Sequence, residues 1–190
     1  MTGASHQRSE ADPRRGDAAF DHLYRTHYPQ VLAYCLRRTS RASAEDAAAE
    51  VFTVAWRRLA DIPPGQRTLP WLYGVAYRVI SHQWRSARRF RNLATRLAGL
   101  GQQEPAGPET QVVRRAEDQL VIDAASRLSA SDQEILRLAG WERLPHEQIA
   151  SVLGISVAAV AQRFSRAKKR LAKEYDRHVR PPDAKEGGRR

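Results

Sequence analysis

Apolar residues recur at helical spacing through most of this 190-residue sequence. Intervals of three and four residues place apolar side chains on one face of an α-helix. The stretch from position 17 to 39 shows this spacing at Phe20, Leu23, Tyr24, Tyr28, Val31, Leu32, Cys35 and Leu36. The chain has no alternating apolar and polar run of strand length and no internal repeat. The sequence therefore predicts an all-α fold.

A Gly-, Pro- and Gln-rich stretch, GLGQQEPAGP from Gly99 to Pro108, separates two blocks of helical spacing. Such composition is typical of a linker. We therefore predict a helical bundle over residues 17–97, a flexible linker over 98–112 and a second helical domain over 113–176. Residues 1–16 and 177–190 lack an apolar period, and we expect both tails to be disordered.

The first block is expected to contain three helices. The first spans Asp17–Thr39, where Pro29 should kink or divide it. Ser43, with an acidic residue three positions later, is typical of a helix start and predicts the second helix there. Residues 63–65, Pro-Pro-Gly, cannot continue that helix, so a third helix is expected to begin near Trp71.

The second block ends in a pattern typical of a DNA-binding helix-turn-helix. Helices are predicted over Val113–Leu128 and over Ser131–Gly140, with Ser131 as the N-cap. A short helix over His146–Leu153 is followed by Gly154, which can adopt positive φ, and then by a long helix that Ser156 caps and that continues to Lys173. A helix, a short Gly-containing turn and a second helix form this DNA-binding motif.

The last helix has a predicted buried stripe and an outward polar face. If the apolar residues from Val160 to Leu171 are buried, the outward side can reach the edges of bases and the phosphates of duplex DNA. Its candidate DNA-binding residues are Ser156, Ala158, Ala159, Gln162, Arg163, Arg166 and Lys169. The alternative is a helical hairpin whose basic face is only solvated.

Composition favours a polyanionic partner, because the chain has 32 Lys and Arg residues but only 21 Asp and Glu residues, and the formal net charge is +11. No apolar run is long enough to span a bilayer or to form a secretory signal, so we expect no membrane insertion. The single cysteine, Cys35, can form no internal disulfide and is expected to be buried. These features are consistent with a cytoplasmic protein.

The third helix and the loop before it combine arginines with aromatic rings. Such a surface suits single-stranded DNA, in which bases stack on rings and phosphates need neutralising. The candidates are Arg67, Tyr73, Tyr77, Arg78, Trp84, Arg85, Arg88 and Arg89. The alternative for the aromatic residues is packing in the core, which helical spacing favours for Trp71 and Trp84.

The second helix carries an acidic face at Glu45, Asp46 and Glu50. These carboxylates could meet a basic partner protein, or two of them could merely favour the positive end of the helix dipole. The six histidines are scattered, and no zinc-like spacing, phosphate loop or nucleophile motif occurs. We therefore predict no catalytic residues, no metal site, no cofactor and no enzymatic activity.

Taken together, these residues resemble the extracytoplasmic-function sigma factors of the sigma-70 family. SAEDAAAEVFTVAWRRL resembles the helix that grips the clamp helices of the largest polymerase subunit in that family. LPWLYGVAYRVISHQWRSARR is similar to the helix that opens and captures the −10 element. The continuous segment DAASRLSASDQEILRLAGWERLPHEQIASVLGISVAAVAQRFSRAKKRL resembles the domain that reads the −35 element. The resemblance implies core polymerase, including its flap region, and promoter DNA as partners, with an anti-sigma protein as a further possibility.

The resemblance also implies a role for the Pro/Gly loop, at 61–69, in forming a pocket for a flipped base. Departures from the family pattern occur at Ala49, in the polymerase-binding helix, and at Tyr77, Arg78 and His82, in the −10 helix. Two other functions stay open at this point. One is a free-standing helix-turn-helix regulator that binds palindromic operators, and the other is an adaptor whose basic faces bind RNA or membranes without sequence preference.

Overall fold

The computed structural model describes residues 13–98 and 116–179. The described residues form seven α-helices and no strand, which confirms the all-α prediction. The helices are α1 (Pro13–Leu36), α2 (Arg41–Arg57), α3 (Thr68–Ala98), α4 (Ala116–Ser126), α5 (Ala130–Gly140), α6 (His146–Leu153) and α7 (Val157–Val179). Helices α1 to α3 pack on one another as a first domain, and α7 packs on α4, α5 and α6 in a second domain.

Helix α1 is one continuous helix, with Pro29 inside it. Of the two predicted outcomes, a kink or a division, division does not occur. Proline removes one backbone hydrogen bond, but Val31 and Tyr34 just beyond it are fully buried. Burial of that apolar face against α2 and α3 outweighs the lost bond. The helix also begins at Pro13, inside the predicted N-terminal tail.

Two helices begin earlier than predicted, because a different serine caps each of them. Ser40, rather than Ser43, is the N-cap of α2, and its Oγ accepts the backbone N–H of Ser43. Ser129, rather than Ser131, caps α5 and accepts the backbone N–H of Asp132 at 3.2 Å. Both capping serines have extended backbone, with ψ of 161° and 150°, which is the usual conformation at an N-cap.

As predicted, the connection between α2 and α3 contains no α-helix. It consists of two short 3₁₀ turns, Leu59–Asp61 and Gly65–Arg67, and Gly65 adopts a left-handed φ of 67°. The hydroxyl of Thr68 donates to the carbonyl of Pro63 at 2.7 Å. This bond stabilises the start of α3, which begins three residues before the predicted Trp71.

The two domains pack directly on each other, chiefly through α3 and α6. Their buried apolar residues form one core that includes Leu72 of α3 and Val152 of α6. The approach is close at Gly74, where an added Cβ would lie at van der Waals distance, 3.6 Å, from the Cα of Val152. Of the predicted linker, only Ala98 lies within the described residues, at the end of α3. At the other end of the second domain, α7 continues six residues beyond the predicted Lys173.

Candidate nucleic-acid and partner-binding surfaces

The helix-turn-helix has the predicted local geometry. Gly154 ends α6 with φ 66° and ψ 37°, a left-handed conformation that glycine adopts without steric cost. The Oγ of Ser156 accepts the backbone N–H of Ala159 at 3.2 Å and so caps α7. Ile149 and Val160 are fully buried and hold α6 and α7 together. The turn and its cap thus fix how α7 projects from the second domain.

The outward face of α7 is exposed, as predicted from the helical phase. Val160 and Ala167 are fully buried, whereas Ala159 is only partly buried. The exposed candidates are Ser156, Ala158, Gln162, Arg163, Arg166 and Lys169. Within the described part of the chain, no side-chain hydrogen bond engages Gln162, Arg163 or Arg166. Their donors are free to meet a ligand.

The charge of α7 is concentrated in the segment 163–173, which contains no acidic residue. One of its cations is already engaged, because Arg170 donates to Asp132 of α5 and anchors the two helices. Lys168 lies 5.6 Å from the ring centroid of Phe164. The remaining cations of this segment are exposed and give this part of α7 a basic surface, a distribution suited to a phosphate backbone.

A second basic surface runs along α3. At 100° per residue, Arg78, Arg85 and Arg89 fall on one stripe of the helix, and all three are exposed. Arg67, in the turn before α3, is also exposed. The side chain of Arg88 lies outside the described residues. The structure therefore brings three of the predicted arginines of α3 into one row.

The aromatic candidates do not lie within that row of arginines. Tyr73 is only 4% exposed, and its ring stacks on Tyr34 with centroids 4.8 Å apart. Burial, followed by the charge of Glu142, raises the pKa of Tyr73 to about 12. In this arrangement Tyr73 belongs to the interior and cannot contact DNA. Tyr77 is partly buried against the core.

Trp84 is more exposed than the sequence interpretation predicted. We expected both Trp71 and Trp84 to pack in the core, and Trp71 does so partly, but Trp84 is 41% exposed. It lies about a third of a turn from the arginine row, at 100° per residue. There it lines a shallow cleft of about 210 Å³ together with Arg38 and Ser43. Its ring thus remains accessible to a ligand, although not beside the arginines.

The predicted acidic face is exposed on α2. Glu45, Asp46 and Glu50 all face solvent, and only Glu45 makes an ion pair among the described residues, with exposed Arg41 at 3.4 Å. Such an exposed pair contributes little to stability. These carboxylates are therefore available to a partner.

An aromatic ridge between α1 and α2 was missed by sequence reasoning. Phe20 meets Trp56 edge-to-face at 5.0 Å, and Tyr24 meets Phe52 at 4.8 Å. Trp56 is 46% exposed. Burial raises the pKa of neighbouring Tyr28, and the nearby Tyr24 and Glu45 raise it further. The acidic face thus borders an apolar surface, a combination found at protein interfaces.

A cluster of charged residues between the domains was also missed. We call Tyr34, Arg37, Arg38, Glu134 and Glu142 the interdomain cluster. The guanidinium of Arg38 is bidentate on Glu134, with distances of 2.9 and 3.0 Å, and it donates to Glu142 at 2.8 Å. Arg37 also donates to Glu142, and the hydroxyl of Tyr34 donates to Glu134 at 2.9 Å. These contacts tie the end of α1 to α5 and to the loop after it.

The interdomain cluster is withdrawn from water. Arg38 is 1% exposed, and its guanidinium lies 3.5 Å from the ring centroid of Tyr34. Burial alone lowers the pKa of Arg38, but Tyr34 and the two carboxylates raise it above its ordinary value, so the group stays charged. One sequence signal indicated this site. Glu134 lies on the same face of α5 as buried Leu138, and a carboxylate there needs a cation.

No group of three or more potential metal ligands occurs in the part of the chain that the structure describes. None of its helices is both long enough and apolar enough to cross a membrane.

Comparison with known proteins matches both domains, in the same order. The family described as "Sigma-70 region 2" matches residues 23–90, and "Sigma-70, region 4" matches residues 118–171. The RNA polymerase sigma factor NccH of Alcaligenes xylosoxydans is 30% identical over 80% of this chain and 84% of its own length. The probable RNA polymerase sigma factor RfaY of Xanthomonas campestris is 34% identical over 70% of this chain, but the match spans only 34% of RfaY.

Among solved structures, the sigma factor RpoE of Bartonella quintana, in complex with the anti-sigma factor NepR, superposes with a TM-score of 0.60. The match covers 82% of this chain and 95% of RpoE at 20% identity, which supports the fold.

Proposed function

Since this chain belongs to the sigma-70 family of RNA polymerase sigma factors, in its extracytoplasmic-function group, we propose that it directs core RNA polymerase to specific promoters and helps to melt them. The observation that carries this proposal is the first domain. It presents an exposed acidic face on α2 and an exposed arginine row on α3. A free-standing helix-turn-helix regulator has no need of this pair of surfaces.

Each surface has a proposed partner. Glu45, Asp46 and Glu50 dock on a basic surface of core polymerase, where charge complementarity speeds and orients association. The aromatic ridge at Tyr24 and Trp56 adjoins this acidic face and extends it with apolar area.

The outward face of α7 reads the −35 element as duplex DNA. Gln162 and Arg163 are the candidates for base edges, because an amide can pair with adenine and a guanidinium with guanine. Lys169, farther along α7, suits phosphate. Ala158 and Ala159, at the start of the helix, offer only small apolar contacts.

The arginine row of α3 holds the melted strand at the −10 element. Arg78, Arg85 and Arg89 neutralise phosphates that would otherwise repel one another, and Trp84 offers a ring on which a base can stack. Unstacking a base costs a few kcal/mol, which these contacts must offset. The loop at 61–69, with Arg67 exposed, is the proposed site of a flipped base.

In this proposal the chain supplies binding energy and orientation, and it performs no chemical step of its own. Core polymerase makes the transcript, so we propose that the chain is not an enzyme and acts in the cytoplasm, where polymerase works. An anti-sigma protein is a further proposed partner. The RpoE structure, which contains one, supports this by analogy.

Reconstitution tests the proposed function. The full chain is added to core polymerase with chromosomal DNA fragments of the source organism, and the 5′ ends of the run-off transcripts are sequenced. We expect co-elution with core enzyme and discrete start sites that share upstream elements. Transcription no different from that of core enzyme alone, together with failure to co-elute, would refute the proposal.

A charge-reversal pair separates docking from general electrostatics. Glu45→Lys combined with Glu50→Lys should abolish co-elution with core enzyme and leave the helical circular dichroism signal unchanged. The matched control is Asp17→Lys combined with Asp21→Lys, which makes the same change in net charge at two exposed acids of α1. Equal loss of co-elution in both variants would mean that net charge, not the α2 face, governs docking.

A further inference from the structure

An ion pair inside the second domain joins α7, which carries the candidate DNA-reading residues, to the body of that domain. Arg170 of α7 donates to the carboxylate of Asp132 in the first turn of α5. The side chain of Asp132 is only 9% exposed, whereas that of Arg170 is 59% exposed. The carboxylate is therefore fixed in the packed part of the domain, and the guanidinium reaches it from the surface of α7.

Two local features hold the Asp132 carboxylate in place. Ser129 caps α5, and its hydroxyl accepts the backbone N–H of Asp132 at 3.2 Å. A carboxylate in the first turn of a helix is also stabilised by the positive end of the helix dipole. Because Asp132 is buried and held in this way, it cannot follow an arginine that moves away.

The basic character of α7 makes a nearby negative charge valuable. Arg166 and Arg170 are four residues apart, as are Lys169 and Lys173, and like charges at this spacing repel each other and destabilise a helix. Repulsion of this kind favours fraying of the far part of α7. Asp132 supplies a negative charge from another helix, which offsets the repulsion and holds this part of α7 against α5.

The ion pair is the far one of two attachment points along α7. The near one is the helix-turn-helix itself, where Val160 and Ile149 are fully buried. Val160 and Arg170 are ten residues apart, or about 15 Å along the helix axis at 1.5 Å per residue. The candidate DNA contacts Arg163 and Arg166 lie between them. Two attachment points fix the direction of a rigid helix, whereas a single one fixes only its position.

Apolar packing alone holds the far part of α7 weakly. Among the residues after Val160 whose side chains the structure describes, only Ala167 is fully buried, and its side chain is a single methyl group. Phe164 and Leu171 are partly buried. Release of Arg170 from Asp132 would therefore leave this part of the helix able to move.

A small movement at Arg170 becomes a large displacement for a DNA-reading side chain. If the ion pair opens by about 3 Å, enough to admit a water molecule, α7 tilts by about 11° about Val160. Arg166, about 9 Å from Val160 along the axis, then moves by about 2 Å. Binding residues must be held within about 0.5 Å of their productive positions. The ion pair thus controls whether α7 can read base edges.

We infer that the Asp132–Arg170 pair positions α7 in the major groove, so that Asp132, an acid in a domain that binds a polyanion, strengthens sequence-specific binding at the −35 element. Asp132 is a positioning residue, since its buried carboxylate acts through Arg170 and does not contact DNA. The ligand, duplex DNA at the −35 element, comes from the proposed function, whereas the ion pair and its leverage on α7 are features of the fold.

Simple electrostatics predicts the opposite sign. Asp132→Asn raises the net charge of the chain by one, which should strengthen binding to phosphates. The same substitution would free Arg170 for phosphate if Asp132 merely held that arginine back from DNA. Positioning instead predicts weaker binding to the preferred sequence in spite of the added positive charge.

The test uses the full chain assembled with core polymerase and two promoter fragments, which are identical except that the −35 element is scrambled in one. The ratio of the two affinities isolates the reading of that element. Asp132→Asn should lower this ratio about fivefold or more, the discrimination that one bidentate base contact supplies. The affinity for the scrambled fragment should stay the same or rise. Asp132→Glu, which keeps the charge, should largely retain the ratio.

Asp123→Asn is the matched control. Asp123 lies in α4 of the same domain, and its carboxylate accepts from neutral Gln119 of its own helix at 2.9 Å. This variant makes the same change in net charge but leaves Arg170 engaged, so the ratio should not fall. Urea unfolding followed by circular dichroism checks that the second domain of Asp132→Asn is folded under the assay conditions.

Arg170→Gln keeps the test decisive if the change at buried Asp132 is not tolerated, because Arg170 is exposed. Positioning predicts that Arg170→Gln lowers the ratio, whereas loss of a simple phosphate contact weakens binding to both fragments equally and leaves the ratio unchanged. In a double-mutant cycle, the combined variant should be no worse than either single variant.

An unchanged or higher ratio for folded Asp132→Asn would overturn the inference, as would an unchanged ratio for Arg170→Gln or an equal fall for Asp123→Asn. A wild-type holoenzyme that transcribes specifically but does not distinguish the two fragments also refutes it, while the proposed function stands. If the wild-type chain directs no specific transcript, the proposed function fails. The same ratio is then measured with the full chain alone, on duplexes that it selects from a random pool, and the absence of any selected sequence refutes the inference as well.

Discussion

Gly154→Ala should destabilise the second domain through the backbone alone. Gly154 adopts φ 66° in the turn between α6 and α7, and an added Cβ would meet nothing within 4 Å. A steric clash is therefore excluded as a cause. A non-glycine residue in this conformation costs about 1–2 kcal/mol, while alanine stabilises by about 0.4–1 kcal/mol through the unfolded chain. The net expectation is a loss of about 1 kcal/mol in the free energy of unfolding.

Gly140→Ala is the matched control for this prediction. Gly140 also has open space around its missing Cβ, but it has no positive φ and ends α5. Alanine is the better helix former, so this change should stabilise by about 0.5 kcal/mol. Urea unfolding of the full chain, followed by circular dichroism, should therefore separate the two variants by about 1.5 kcal/mol. Equal effects of the two substitutions, or a gain in stability from Gly154→Ala, would refute the need for a left-handed residue in the turn.

Three further outcomes are expected. Arg163→Ala should weaken binding to −35 duplex DNA, and if Arg163 contacts a phosphate, the slope of log K against log salt concentration should fall by about 1. Arg177→Ala, near the far end of α7, should leave both the affinity and the slope unchanged. Anisotropy titrations at several salt concentrations measure both quantities. Arg143→Gly should raise the free energy of unfolding by about 0.5 kcal/mol, because Arg143 adopts φ 53°, and urea unfolding that shows a loss instead would contradict this. Burial raises the pKa of Cys35 from 9.0 to about 11, so its stabilising contribution is complete below pH 9 and is lost as the pH rises to 11; iodoacetamide at pH 8 should modify it only after unfolding.

Local chemistry explains why the helix-turn-helix was predictable. The left-handed turn at Gly154 and the cap at Ser156 depend on neighbours within four residues, which the sequence shows directly. The N-caps of α2 and α5 were misplaced, because each segment offers two serines near its start and only the backbone conformation distinguishes them. Pro29 does not divide α1, since the local cost of proline is outweighed by burial of residues that follow it.

Whether a feature of the candidate surfaces could be predicted likewise depends on whether it is set by the local sequence. Exposure of Arg78, Arg85 and Arg89 follows from the phase of one helix and could be predicted. The burial of Tyr73 could not, because it depends on what packs beside α3. Arg38 and Glu134 are 96 residues apart, and nothing near either residue indicates which charge the other domain supplies.

Three of the four tryptophans are placed so that intrinsic fluorescence can report on different surfaces of the molecule. Trp56 borders the acidic face, Trp84 faces the cleft beside Arg38, and Trp141 directly precedes Glu142 of the interdomain cluster. All three are exposed, at 46%, 41% and 45%, so their emission responds to whatever covers them. Retaining one of these tryptophans at a time, with the other three replaced by phenylalanine, would let emission report separately on the acidic face, on the cleft and on the interdomain cluster in the unlabelled chain.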